Sequence, residues 1–363
     1  ADGSKDWLSD GFLFLEFKDG SGRNYTVGYE KLNARRTEWE WLLDRIFEQG
    51  KSLSALDRCI GQEIKELGKP AFRHQIVLGL PEAIRGQKDW GEIDGREMDF
   101  SKEEDQIAAT KWYIGELVER FKAAKYKHLE LSGFYWVAED THHCAELTIP
   151  LSEYIHSEGK LFYWIPYWQA KGHEEWKRLG FDVAYQQPNH FFNHSIPDSR
   201  LDEACATARR HGMAMEFEFD EKATAAIPNS SHDRMAAYIN HFEKNDVFNS
   251  SAVAYYCGNR GVLTLDESDN PKAKALMDRL ARIIQARRYL KYGIPMKNKT
   301  RVVAHRGFWH TDGSAQNSIA SLLKADQLGV YGVEFDVWMS SDGVPVLNHD
   351  GWHDGYEVQS TPS

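Results

Sequence analysis

Two groups of residues in this 363-residue chain have types and spacing that could do chemistry. The sharper group lies late in the chain. His305 and Arg306 close a short apolar run at 301–304. Glu334 and Asp336 lie two apart in the run 333–337, so both side chains point to one face, roughly 7 Å apart at the β rise. His349 follows a third run, 344–347. Oxygen ligands at that spacing suit a hard divalent cation, Ca²⁺ or Mg²⁺, rather than zinc. A guanidinium such as Arg306 suits a phosphate. Two imidazoles suit general acid and base roles around a phosphodiester. The joint expectation is metal-assisted phosphodiester cleavage.

The second group is carboxylates at the ends of apolar runs. The run 128–137 leads into Glu139 and Asp140. The run 213–219 carries Glu216 and Glu218, with Asp220 just beyond, all of one parity and so on one face. Rings and amides gather near the same ends. Trp168, Gln187 and Asn189 are the expected sugar-binding residues, since flat rings stack on sugars and amides bond hydroxyls. Most strand aromatics are otherwise core packing.

Such groups need a scaffold to bring them together. Runs rich in β-branched and aromatic residues recur at 12–17, 75–80, 128–137, 161–168, 182–187, 213–219 and 252–256. Amphipathic stretches at 38–49, 106–123, 174–179, 198–211, 235–244 and 271–290 separate most of them. Alternating strands and helices mean βα units and a parallel sheet. The fold class expected is α/β. Residues 1–290 read as a (β/α)₈ TIM-type barrel lacking its first strand. An open doubly wound sheet is the competitor, but the turn KDGSGR at 18–23 opens no phosphate-binding helix. A linker at 291–300, broken by Gly293 and Pro295, follows. The pattern then restarts with strand 301–304, helix 318–328, strand 333–337, a turn at Asp342 and Gly343, and strand 344–347. Residues 301–363 read as the first βα units of a second, truncated TIM-type barrel.

Barrel chemistry sits at the C-terminal ends of the strands. With 12–17 counted as strand two, Glu139 follows strand four and Glu218 ends strand seven. That placement resembles the barrel clan of retaining glycosidases, in which the two carboxyls stand about 5–5.5 Å apart. The resemblance makes Glu139 the acid/base and Glu218 the nucleophile. The stretches DGFLFLEF (10–17), GFYWVAED (133–140), YWIPYW (163–168), FDVAYQQPNHFF (181–192) and MEFEFDE (215–221) are similar to a bacterial domain-of-unknown-function family, number 4855. This resemblance implies a glycosidase-like barrel and a carbohydrate context over 7–290, with one more strand before DGFLFLEF.

The later motifs AHRG (304–307), QNS (316–318), EFD (334–336) and DGVPVLNHD (342–350) closely resemble the glycerophosphodiester phosphodiesterase family. The resemblance implies that His305 and His349 are the acid/base pair, Arg306 holds phosphate, and Glu334 and Asp336 bind the metal. It implies a third metal carboxylate beyond Ser363 and a glycerophosphodiester substrate. Gln316 stands where the family has Glu. A barrel of this kind needs about 250 residues, so the 363-residue chain is expected to lack phosphodiesterase activity that a longer parent has. Both ends read as trimmed.

Composition narrows the field further. Lys and Arg number 44 against 55 Asp and Glu, for a net charge of −11. Phosphate neutralisation needs a basic surface, so no nucleic-acid partner is expected. Four cysteines without a C-x-x-C pair exclude a zinc knuckle or disulfide scaffold. No apolar run approaches the roughly 20 residues of a membrane span. A periplasmic or secreted location is expected, from substrate class alone. Three functions follow: a two-barrel hydrolase acting on a glycerophosphate-decorated glycan, a glycan-binding barrel that targets a phosphodiesterase, or a working first barrel followed by a relic.

Overall fold

Alternation places one face of each apolar run against helices and the other inside the barrel. In the computed structural model, which describes residues 5–142, 144–225, 228, 230–292, 302–311 and 313–363, all seven runs are strands. They are β1 (Gly11–Phe14), β2 (His74–Leu80), β3 (Leu129–Trp136), β4 (Leu161–Trp164), β5 (Val183–Gln186), β6 (Ala214–Glu218) and β7 (Val253–Tyr256). They form one sheet in chain order, every neighbour parallel. This is the topology of a TIM-like barrel. The sheet curls. Glu139 beyond β3 and Glu216 on β6 would stand roughly 14 Å apart in a flat sheet, yet the charge of one raises the pKa of the other.

The helices are α1 (Arg36–Phe47), α2 (Ser52–Leu67), α3 (Glu103–Ala124), α4 (Ala145–Ser157), α5 (Ser199–His211), α6 (His232–Lys244) and α7 (Pro271–Tyr292). Ile76, Leu78, Phe134, Trp136, Phe162, Trp164, Met215 and Phe217 belong to the core shared with these helices. Residues of the other parity, Tyr135, Val137 and Ile165, form an inner cluster packed by Leu15, Val77, Tyr163 and Tyr185. Gly133 is needed for the close approach of β3 and β4, since a Cβ there would lie 1.9 Å from the Leu161 carbonyl oxygen. The edges β1 and β7 do not pair with each other among the described residues. The side chain of Gln285 on α7 donates to Asp6, just before β1, at 2.9 Å.

Local differences from the sequence reading have local causes. The stretch 174–179 is a 3₁₀ turn at His173–Glu175, not an α-helix. It is bounded by Gly172 and Gly180, both at φ +91°. A Cβ at Gly180 would press on Ser152 of α4, so the chain must turn there. Helix α4 was not among the expected helices, and Pro150, a residue type that weakens a helical pattern, lies inside it.

The chain divides into two compact units, Ala1–Arg287 and Arg288–Ser363. The expected linker falls largely at 293–300, outside the described residues, as does Arg301. In the second unit β8 (Val303–His305) and β9 (Gly332–Glu334) pair in parallel around helix α8 (Ile319–Gln327). Ser318 caps α8, its hydroxyl accepting from the Ser321 N–H at 3.1 Å. The third expected strand differs. β10 (Val337–Met339) and β11 (Pro345–Leu347) form an antiparallel hairpin. The turn through Asp342 and Gly343 is too short for the crossover that parallel strands require. Ala325 and Val358 are the buried apolar side chains of this unit among its described residues, whereas Ile319, Leu323, Tyr331, Val337 and Trp352 stay exposed.

Candidate functional sites at two strand-end clusters

The barrel mouth is organised by the turn that follows β5. Gln187 Nε2 donates to Glu139 Oε1 at 3.0 Å and to the Ile165 carbonyl at 3.0 Å. Asn189 Nδ2 donates to Gln187 Oε1 at 2.8 Å, and the Trp168 N–H donates to Asn189 Oδ1 at 2.6 Å. Asn189 adopts φ +49°, a conformation its short polar side chain tolerates. The turn then presents backbone donors to the other side of the mouth. The His190 N–H reaches Glu218 Oε2 at 3.3 Å, and Asn189 N–H also bonds this carboxylate. One four-residue turn therefore holds Glu139 by a side chain and Glu218 by the backbone.

The three glutamates differ in what faces them. Burial raises the Glu218 pKa, and Tyr238, His190 and Asn189 oppose that rise. The Tyr238 hydroxyl lies 2.5 Å from Glu218 Oε2. Burial also raises Glu139, with Gln187 opposing and Asp140 adding to the rise. Glu216 is pushed well above the usual range by burial first, then by the charges of Glu218 and Glu139. Stacked on Phe17 at 4.6 Å, Tyr29 is exposed and sits within the fields of Glu139 and Tyr256. Trp168 carries the Arg200 guanidinium 4.7 Å from its ring centroid, so one ring face is already covered. His190 is fully buried, bonding Asp198 Oδ1 at 2.8 Å.

In the second unit His305 lies opposite Glu334 in the β8–β9 register. Its Nε2 is 3.9 Å from Glu334 Oε2, which also accepts the Arg306 N–H at 3.1 Å. The Arg306 side chain pairs with Asp336 at 3.1 Å and donates to Gln316 Oε1 at 3.0 Å. Asn317 exchanges two bonds with Asp336, at 3.1 and 3.2 Å. His349 instead pairs with Asp350 at 2.9 Å. Contacts thus join His305, Arg306, Glu334 and Asp336, while none is described from His349 to these four. A Cβ at Gly307 would strike Ser321 of α8, which explains the small residue after Arg306. The oxygen donors suit a hard cation in kind. They do not suit it in number, because no group of three or more His, Cys, Asp or Glu among the described residues is placed to hold a metal.

The profile of a domain of unknown function, DUF4855, matches residues 1–282. The chain belongs to this family. A second profile, that of the glycerophosphoryl diester phosphodiesterase family, matches residues 305–358 of the DUF4855 protein. Rat glycerophosphodiester phosphodiesterase 1 is 39% identical over 67 residues, covering 18% of this chain and 19% of that protein. The human protein is 39% identical over 54 residues, covering 15% and 16%. The chain therefore spans under a fifth of the curated relatives it matches. Among solved structures, a protein of Bacteroides thetaiotaomicron described as an alpha-L-fucosidase covers 76% of this chain and 82% of its own, at 14% identity and TM-score 0.41. The carboxyl transferase domain of Rhizobium etli pyruvate carboxylase covers 74% and 42%, at 10% identity and TM-score 0.33. Neither likeness carries an argument about chemistry.

The DUF4855 barrel thus gathers Glu139, Glu218, Gln187, Asn189 and Trp168 at one end. Sequence reasoning passed over Tyr29 and Tyr238. Tyr29 lies in the loop after β1, where a barrel builds its site, and that position was the available signal. Tyr238 sits on a helix, at a spacing that reads as core. No described helix is long and apolar enough to cross a membrane.

Proposed function

We propose that the DUF4855 barrel hydrolyses glycosidic bonds with Glu139 and Glu218. The observation that carries this reading is the 187–190 turn, which ties both carboxyls into one hydrogen-bonded assembly at the C-terminal mouth. Glu218 receives three donors that favour its anion, the state a nucleophile needs. Burial raises both carboxyls, but Glu139 has one opposing donor against three at Glu218, which leaves Glu139 the better placed to carry a proton. In the reaction a Glu218 oxygen bonds the anomeric carbon as the glycosidic C–O bond breaks. Glu139 passes its proton to the departing oxygen. Water, losing a proton to Glu139, then cleaves the glycosyl ester and frees Glu218. Exposed Tyr29 and Tyr256 offer rings for a sugar, more openly than Trp168 does. Location outside the cytoplasm accords with a glycan substrate.

Glu218→Gln and Trp168→Ala, assayed on a panel of aryl glycosides and glycan arrays, test this. Turnover lost by orders of magnitude in Glu218→Gln with binding retained is expected. Binding without turnover in the wild type would instead make the barrel a glycan-recognition module.

A second reading concerns residues 302–363. The family match at 305–358 and the Arg306 cluster favour a phosphodiesterase segment whose substrate is a glycerophosphodiester. We assign it no cation-dependent step, because its donor set is short of three. In this reading the segment is the opening part of a second TIM-type barrel and is inactive by itself, with His305 and His349 available as acid and base only in a fuller site.

A further inference from the structure

Glu216 is unused by the mechanism above, and its surroundings are unusual. It lies on β6 two residues before Glu218, on the inner face of the barrel. It is 7% exposed, and no hydrogen bond or ion pair to it is described. A buried carboxyl without a partner is costly, and such groups are rare without a reason. The titratable groups whose fields it shares are Glu218 on its own strand, Glu139 and Tyr135 from β3 and its end, Tyr238 on α6 and Tyr256 on β7. All are acids. No cation is described in the field of Glu216, and two arginines of the mouth are engaged elsewhere. Arg234 donates to the carbonyls of His190, Asn193 and Ile196, and Arg200 lies over the Trp168 ring.

The mouth therefore gathers three carboxyls, one of them with no described partner. A metal ion is not the missing complement, because no group of three ligands among the described residues has the required placement. An organic ammonium needs no such geometry, since one carboxylate and a few hydrogen bonds hold it. We infer that Glu216 is the recognition group for an amine-bearing sugar, so that the barrel takes cationic amino-sugar glycans in preference to neutral ones and rejects anionic ones. This inference rests on the carbohydrate reading. It also separates the barrel's substrate from any phosphate-decorated glycan, whose charge the Glu218 anion would repel.

Three probes test it: a glucosamine oligosaccharide, its N-acetylated counterpart and a galacturonic acid oligosaccharide. Binding to the full chain is measured by calorimetry at mildly acidic pH, in two buffers that differ in protonation enthalpy. The glucosamine probe should bind about tenfold or more tighter than the N-acetylated one, the worth of a charge-assisted hydrogen bond. It should release a proton as Glu216 ionises. Glu216→Gln should erase both the preference and the proton release while leaving binding of the neutral probe. Equal affinity for charged and neutral probes, or a preference that survives Glu216→Gln, overturns this inference alone. Binding of none of the three overturns it together with the carbohydrate reading.

Discussion

The Tyr238 hydroxyl meets Glu218 Oε2 at 2.5 Å, joining helix α6 to the barrel mouth through a fully buried contact. The same ring lies 4.9 Å from Phe217, so one side chain of α6 touches two successive residues of β6. Removing the hydroxyl leaves the ring and takes away a donor that favours the Glu218 anion. Tyr238→Phe should therefore move the acid limb of any pH–rate profile to higher pH. It should destabilise the fold by about 1.5–3 kcal/mol, the range for hydrogen bonds to charged groups. Urea melts and a pH profile check the two effects, and an unmoved acid limb would count against Glu218 as the working anion.

His190 gives the barrel a defined acid sensitivity. Burial holds its pKa down at about 4, despite the bond to Asp198, with Arg234 adding to the depression and His241 contributing. The unfolded chain, at a histidine's usual value near 6.5, binds a proton that the folded chain refuses. Stability from this group is complete above about pH 6.5 and declines as pH falls towards 4. His190→Gln should flatten that decline in a series of melts across this window. A slope unchanged by the substitution would assign the sensitivity to other groups.

Glu216 works on stability in the opposite sense. Its folded pKa is raised by burial and by Glu218 and Glu139, so the folded state holds its proton more tightly than the unfolded state. Its contribution is favourable below the ordinary glutamate range and is lost as pH rises through the raised value. Glu216→Gln should then melt higher than the wild type at neutral and alkaline pH, and the gain should vanish in acid. Thermal melts at several pH values decide this, and a variant that melts lower throughout would contradict it.

The segment 302–363 should respond weakly to divalent cations. Asp336 already faces Arg306 and Asn317, and Glu334 accepts the Arg306 amide. A ligand at about 100 times its Kd adds roughly 2.7 kcal/mol to stability. Millimolar Ca²⁺ or Mg²⁺ should give no shift of that size in the melting of this chain. Glycerophosphocholine should not be turned over. Turnover that disappears in His305→Ala would reverse the assignment of inactivity.

The seven barrel strands were legible because each is a β-branched or aromatic run and most have breakers at both ends. Gln75–Leu80 and the GFYWV stretch mark themselves even without long-range information. The strand-end glutamates were legible for the same reason, since parity alone puts Glu216 and Glu218 on one face. What could not be read was which partner each would meet. The contact between Gln187 and Glu139 joins residues 48 apart, and Tyr238 is 20 residues from Glu218. Helix α2 and helix α4 were missed where serine, glycine or proline weaken a helical pattern that tertiary burial then enforces. The hairpin of β10 and β11 shows that an apolar run after a short turn does not reveal strand direction unless the connection length is weighed.

The bond between Asp6 and Gln285 spans 279 positions of chain, nearly the whole first unit. Every pairing in the sheet joins strands that follow one another in sequence, so this side-chain contact has the greatest entropy to overcome, although the cost grows only with the logarithm of the loop. The curled sheet can grow strand by strand from local pairings, and the docking of α7 on the segment before β1 is expected last. By the same reasoning it is the first region to come apart. In native-state hydrogen exchange, the amides of β1 and of the second half of α7 should lose protection together, ahead of β2 and β3, while the rest of the sheet stays intact.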